Sequence, residues 1–193
     1  MKKSTRTIVQ ILLFVAVILA TIQVGQAQGV VNVSVQVDPK ITINGDSDHD
    51  IESGFNNVLI KSRWTGNQQK FGYLYVAPSF EYARLSKDLP EYQRYAVEVG
   101  YTLNELFLED LEMSLYIDYG ILKRGLSKQG LGFGGVIGYE VFKGGKILAT
   151  WQWVDRQDFE ILYNIPSEFK YSVQVGFEIV VFGDYRYKNQ KRR

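Results

Sequence analysis

Four acidic residues crowd one short stretch of this chain: Asp46, Asp48 and Asp50 at alternate positions, then Glu52. Hard carboxylate oxygens at that spacing suit calcium, and the first three match the opening of a twelve-residue calcium loop. The match stops there. Ile51 stands where such a loop needs a glycine for its sharp turn, and Asn57 stands where it needs a bidentate glutamate. The stretch is read as a solvated acidic surface loop, with calcium as the metal it would take if it took one. His49 lies in the same stretch and is the only histidine. A hydrolase scheme would pair it with Ser47 or Ser53 and orient it with Asp50. A polar loop does not supply the rigid placement that nucleophilic catalysis demands, so no catalytic residue is assigned and the chain is read as non-enzymatic. Gly132, Gly134, Gly135 and Gly138 echo a phosphate cradle, but no helix follows them, so that reading fails its context. With no cysteine at all, thiolate metal sites, disulfides and cysteine nucleophiles are excluded, and no cofactor is expected.

The elements that would have to position any such site are strands. The chain has 193 residues, enough for one domain, with 22 Lys and Arg against 21 Asp and Glu, 46% apolar residues and 14% aromatic residues. Residues 1–27 read as a cleaved secretory signal. Lys2, Lys3 and Arg6 precede an apolar run from Ile8 to Ala20, and Gly25 and Ala27 are small residues at the cleavage positions. The run is shorter than the roughly 20 residues a spanning helix needs. Residues 184–193 form a basic tail with Arg186, Lys188, Lys191, Arg192 and Arg193. Between the two lies an acidic body, residues 28–183, which offers nucleic acid no continuous basic surface.

That body alternates with period two in eight stretches, the signature of strands whose faces differ. In the fourth, Tyr95, Val97, Val99 and Tyr101 oppose Arg94, Ala96, Glu98 and Gly100; in the fifth, Leu115, Ile117 and Tyr119 oppose Ser114, Tyr116, Asp118 and Gly120. Residues 30–38 give the least certain strand, since "VVNVSVQVD" would also serve as an arm.

Alternation does not say which face is wet. In a soluble periplasmic or secreted barrel the apolar face would be the core and would hold a small apolar ligand. In an outer-membrane barrel it would meet lipid, and the other face would fill a lumen. The polar faces favour the second reading. They mix glycine with charges of both signs, namely Lys61, Arg63, Arg94, Glu98, Glu112, Asp118, Glu140 and Glu178, which is a set able to pair in a narrow interior. Aromatic residues crowd toward strand ends, among them Trp64, Tyr82, Tyr92, Tyr101, Trp151, Trp153 and Tyr171, where membrane interfaces would lie. Connections alternate in length. Pro39 to Gly54 and Asp155 to Phe169 are long, Ser86 to Pro90 is medium, Arg124 to Gly130 is a further connection, and Lys143 to Gly145 is tight.

On these residues the chain resembles the small eight-stranded outer-membrane barrels of the OmpA/OmpX type, over essentially all of residues 29–187. The resemblance implies a closed antiparallel up-and-down transmembrane β-barrel in a Gram-negative outer membrane, with lipid as its surroundings and a lumen too narrow for an open pore. Gln174, Gly176, Ile179 and Val181 resemble the family's assembly signal, which implies recognition by the barrel-insertion machinery. Here about eleven residues follow Phe182, whereas the family pattern ends the chain on an aromatic. The basic tail is expected in the periplasm, within reach of anionic headgroups or cell-wall polymer.

Overall fold

The computed structural model describes residues 29–44, 53–66, 72–84, 90–104, 110–157 and 169–183. Residues 1–27, residues 184–193 and the acidic stretch with Asp46, Asp48, His49, Asp50 and Glu52 lie outside the described residues. Eight strands follow in order: β1 (Val30–Val37), β2 (Asn57–Thr65), β3 (Gly72–Ala83), β4 (Tyr92–Asn104), β5 (Leu111–Arg124), β6 (Leu126–Phe142), β7 (Gly145–Asp155) and β8 (Phe169–Phe182). Each pairs antiparallel with its neighbours in sequence, and β1 pairs with β8, so the sheet closes into a barrel. Val30–Val37 is therefore a full barrel strand, hydrogen-bonded on both sides.

The alternation has a definite sense. Along β5, Leu115 and Ile117 are 56% and 67% exposed, while Tyr116 and Asp118 between them are 4% and 3% exposed. The same sense holds elsewhere: Asn32, Ser34 and Gln36 are buried, as are Lys61, Arg63, Glu98, Gln174 and Glu178. Val97, Val99, Ile147 and Ile179 point outward and are exposed. A soluble barrel would reverse this, because the hydrophobic effect would put the valines in the core.

The end of the barrel where β1 begins and β8 finishes is the lower rim. Upper connections follow β1, β3, β5 and β7, and the tight turn at Lys143 and Gly144 lies at the lower rim. One upper connection differs from expectation. Arg124 to Gly130 is strand, not loop: Arg124 pairs with Leu126 across Gly125 alone, and the ladder runs on through Gly120 and Gly130. Gly125 takes a φ of 76°, a left-handed turn that suits glycine. Ser127, Lys128 and Gln129 are all exposed, so this segment carries no apolar face, and without one the sequence holds no alternation to read.

The connection after β1 opens with a single helical turn, α1 (Pro39–Asn44). Asp38 caps it, its Oδ1 accepting from the backbone N–H groups of Lys40 at 2.8 Å and Ile41 at 3.2 Å. Pro39 takes the first helical position, where its missing N–H costs nothing.

Outward aromatics gather near both rims. At the upper rim Phe80 meets Tyr95 with centroids 4.9 Å apart, Phe133 stacks on Trp153 at 5.3 Å, and Trp153 meets Tyr171 at 5.1 Å. At the lower rim Phe142 meets Phe177 at 5.7 Å, and Tyr101 and Tyr139 lie exposed. Two expected girdle residues sit elsewhere. Tyr92 points into the barrel and is buried. Trp151 stands at mid-height beside Gly135, whose missing side chain leaves room for the indole.

Candidate functional site

The barrel interior brings together charged residues from six strands. Glu178 of β8 is the hub of its lower half. It accepts from Arg63 Nε at 3.1 Å and Asn32 Nδ2 at 3.0 Å, also contacts Arg63 Nη2, and lies 3.8 Å from Lys146 Nζ. Lys146 donates to Glu112 at 2.5 Å, and the Tyr73 hydroxyl approaches the same carboxylate at 3.4 Å. Higher up, Lys61 pairs with Glu98 at 2.5 Å, and Arg94 pairs with Asp118. Each of these four buried cations therefore has an acidic partner. Charges removed from water are otherwise prohibitively expensive.

Glu81 is the exception among the buried acids. Its carboxylate accepts from neutral groups among the described residues, namely Gln152 at 3.1 Å, Gln174 at 3.4 Å and the Tyr92 hydroxyl at 3.5 Å.

The glycines on the inward faces match these large side chains in size. Across one level of the sheet, Tyr75 lies beside Gly100, Gly100 beside Tyr116, and Tyr116 beside Gly134. A Cβ at Gly100 would come within 2.5 Å of the Tyr75 ring, and one at Gly134 within 2.7 Å of the Tyr116 hydroxyl. Large and small side chains alternate around the ring, as a narrow barrel requires. The two tyrosine faces also receive the cations: Lys61 Nζ lies 4.5 Å from the Tyr116 centroid and the Arg63 guanidinium 5.3 Å from that of Tyr75.

Of the eight expected interior residues, Lys61, Arg63, Arg94, Glu98, Glu112, Asp118 and Glu178 join these pairs. Glu140 lies half-buried near the lower rim, opposite Lys146 in the ladder. Sequence reading set Asn32, Glu81, Gln152 and Gln174 on the less apolar faces of their strands without joining them to the charged set, and it assigned Lys146 no face. Their signal was parity: Lys146 shares the inward phase of β7 with Thr150 and Gln152, although it opens the strand beside an apolar run. Apolar side chains also enter the interior, where Val136 and Leu148 pack with Tyr75, Ala77 and Tyr116. Within the described residues this interior is lined mainly by polar and charged side chains and is unlike the apolar core expected of a soluble ligand-binding barrel.

On the last strand, Gln174 is buried and Gly176 half-buried on the inward face, while Ile179 and Val181 are exposed on the outward face. The spacing that resembles an assembly signal thus presents two apolar side chains outside.

No protein-family model matches the chain, and no curated protein sequence does. Among solved structures, the outer membrane protein Ail of Yersinia pestis, determined in a phospholipid bilayer nanodisc, is similar, with a TM-score of 0.52 and 12% identity. That match covers 79% of this chain and 99% of Ail. A structure from the de novo design of transmembrane β-barrels matches at a TM-score of 0.38 and 14% identity, over 80% of this chain and 96% of the other. Closed eight-stranded topology, polar interior, apolar exterior and the likeness to Ail together give this chain the fold of the small outer-membrane β-barrels, the OmpA/OmpX type that its sequence resembles.

Proposed function

We propose that the protein is a non-enzymatic integral outer-membrane barrel whose role is structural or one of surface contact, with a closed lumen and no open pore. The observation that carries this reading is the sense of the alternation, with Leu115 and Ile117 outside and Asp118 inside. A band of such side chains is stable against lipid and unstable against water. A closed lumen is supported by cross-strand pairs that occupy the barrel at successive heights: Lys146 with Glu112, Lys61 with Glu98, Arg94 with Asp118. Eight strands enclose a space that side chains fill.

In this reading the lower rim faces the periplasm, residues 1–27 are removed on export, and the insertion machinery recognises β8 through Gln174, Gly176, Ile179 and Val181. The tail of residues 184–193 then meets anionic headgroups or cell-wall polymer. Extraction and gel mobility test the membrane assignment. The mature protein should need detergent for release from the envelope and should migrate differently before and after boiling. A monomer that stays soluble without detergent contradicts it. Planar-bilayer recordings test the lumen, and steady open-pore conductance would contradict a closed one.

A further inference from the structure

At the upper rim the interior opens into a pocket of about 170 Å³. The charged groups that border it are already matched. Glu81 accepts hydrogen bonds from Gln152, Gln174 and the Tyr92 hydroxyl, and it faces Arg94, Arg156 and Lys61. Arg156 holds its guanidinium 4.5 Å from the centroid of the Tyr92 ring and, like Lys170, has further partners. The Asp38 carboxylate caps α1. An ion entering this space would give up its water and meet no unmatched charge in return.

What the lining lacks is a hydrogen-bond donor. Asn57 borders the pocket and is 5% exposed, and its side-chain oxygen has no hydrogen-bond partner among the described residues. A buried oxygen in that state costs stability unless something donates to it. Ser172, half-buried on β8, adds a hydroxyl that both donates and accepts. Ile41 of α1, Ala83 and Val154 add apolar surface to the same lining.

We propose that this pocket binds a neutral monosaccharide ring, with a ring hydroxyl donating to Asn57 Oδ1, another meeting Ser172, and a C–H face against Ile41, Ala83 and Val154. Such a ring carries hydroxyls at its edge and C–H groups on its faces, so it answers both kinds of lining without bringing a charge. The volume fits one ring: at roughly 30 Å³ per water it equals the space of about five or six waters. The inference rests on the surface-contact reading, in which the upper rim faces the exterior, and it names the class of partner.

The test uses the full mature chain in micelles of a phosphocholine detergent, which keeps sugar-headed detergents out of the assay. Gel mobility before and after boiling checks the barrel itself. D-glucose, D-galactose and D-mannose are each titrated to roughly 50 mM, well above the Kd of a millimolar site, while the side-chain amide resonances of Asn57 and Gln152 are followed. Glucosamine and glucuronate, the same ring with one charge of either sign, are titrated in parallel. The expected result is a saturable shift with at least one neutral sugar and affinities at least about tenfold weaker for both charged rings. Methyl glycosides of the sugar that binds separate two sources: equal affinity assigns the ligand to the end of a glycan chain, and loss of binding assigns it to the free sugar. Asn57→Leu should weaken binding by at least about tenfold, and Ser172→Leu, which fills the pocket from β8, should abolish saturation, with the mobility change intact in both. A folded barrel that shows no saturable shift with any neutral sugar overturns the inference and leaves the barrel reading standing. So does a charged ring that binds as tightly as the neutral one, or an affinity unchanged in both variants. A chain whose mobility is the same before and after boiling overturns both the inference and the barrel reading.

Discussion

Arg63 and Glu178 sit on β2 and β8, the two strands flanking β1, and their contact reaches across β1 on the inside of the barrel. Asn32 of β1 bonds the same carboxylate at 3.0 Å, so one acidic group ties together all three strands at the place where the sheet closes on itself. The first and last strands meet there through backbone pairing, and the side-chain clasp adds a second set of bonds to that seam.

Removing the hub should therefore be costly. Glu178→Ala leaves Arg63 buried without its acidic partner and takes an acidic neighbour from Lys146, and breaking a buried pair in this way costs about 3–5 kcal/mol. Arg63→Met combined with Glu178→Leu removes both charges and should cost much less than the single change. Urea titration of unfolding in lipid vesicles measures both. A double variant as unstable as Glu178→Ala would show that the clasp acts through something other than charge compensation.

The large-and-small alternation gives a second expectation. Gly100→Ala should destabilise the barrel by about 1–3 kcal/mol, because its Cβ meets the Tyr75 ring and a packed interior has little space to yield. Tyr75→Leu in the same chain should restore part of that loss by vacating the space. The same unfolding titration, run as a double-mutant cycle, reads the coupling, and additive losses would contradict the packing account.

Much of this was legible in the sequence because a membrane barrel writes itself in period two. Val97 and Val99 alternating with Glu98 suffice to place the strand and its two faces. Three things escaped for physical reasons. The β5–β6 hairpin from Lys123 to Gln129 is held by backbone bonds and lacks an apolar stripe, so its strands carry no period to detect. Tyr92 looked like an interface ring because it lies at a strand end, yet it shares the inward phase of Arg94 and reaches Glu81. Lys146 opens the seventh alternating stretch beside an apolar run and was given no face, yet its long side chain runs into the interior to reach Glu112 and Glu178. The ion pairs themselves depend on register between strands far apart in sequence, as with Arg63 and Glu178, and spacing along the chain cannot supply that.

A charge placed on the outward face should be expensive according to its height. Val97→Lys and Val175→Lys lie on the outward face between the aromatic zones and should each cost about 2–4 kcal/mol of folding stability in vesicles. Ser127→Lys, on the exposed upper hairpin, should stay within about 0.5 kcal/mol of the parent. Equal effects at the three positions would contradict a lipid-facing band.

The most direct test of which face meets lipid uses the absence of native cysteine. Single cysteines at Leu115, Tyr116, Ile117 and Asp118, each carrying a small fluorophore, can be placed in vesicles made with brominated lipid. The account predicts strong quenching at positions 115 and 117 and little at 116 and 118, alternating along β5. Quenching that is uniformly weak along the strand, or strongest at 116 and 118, would contradict it.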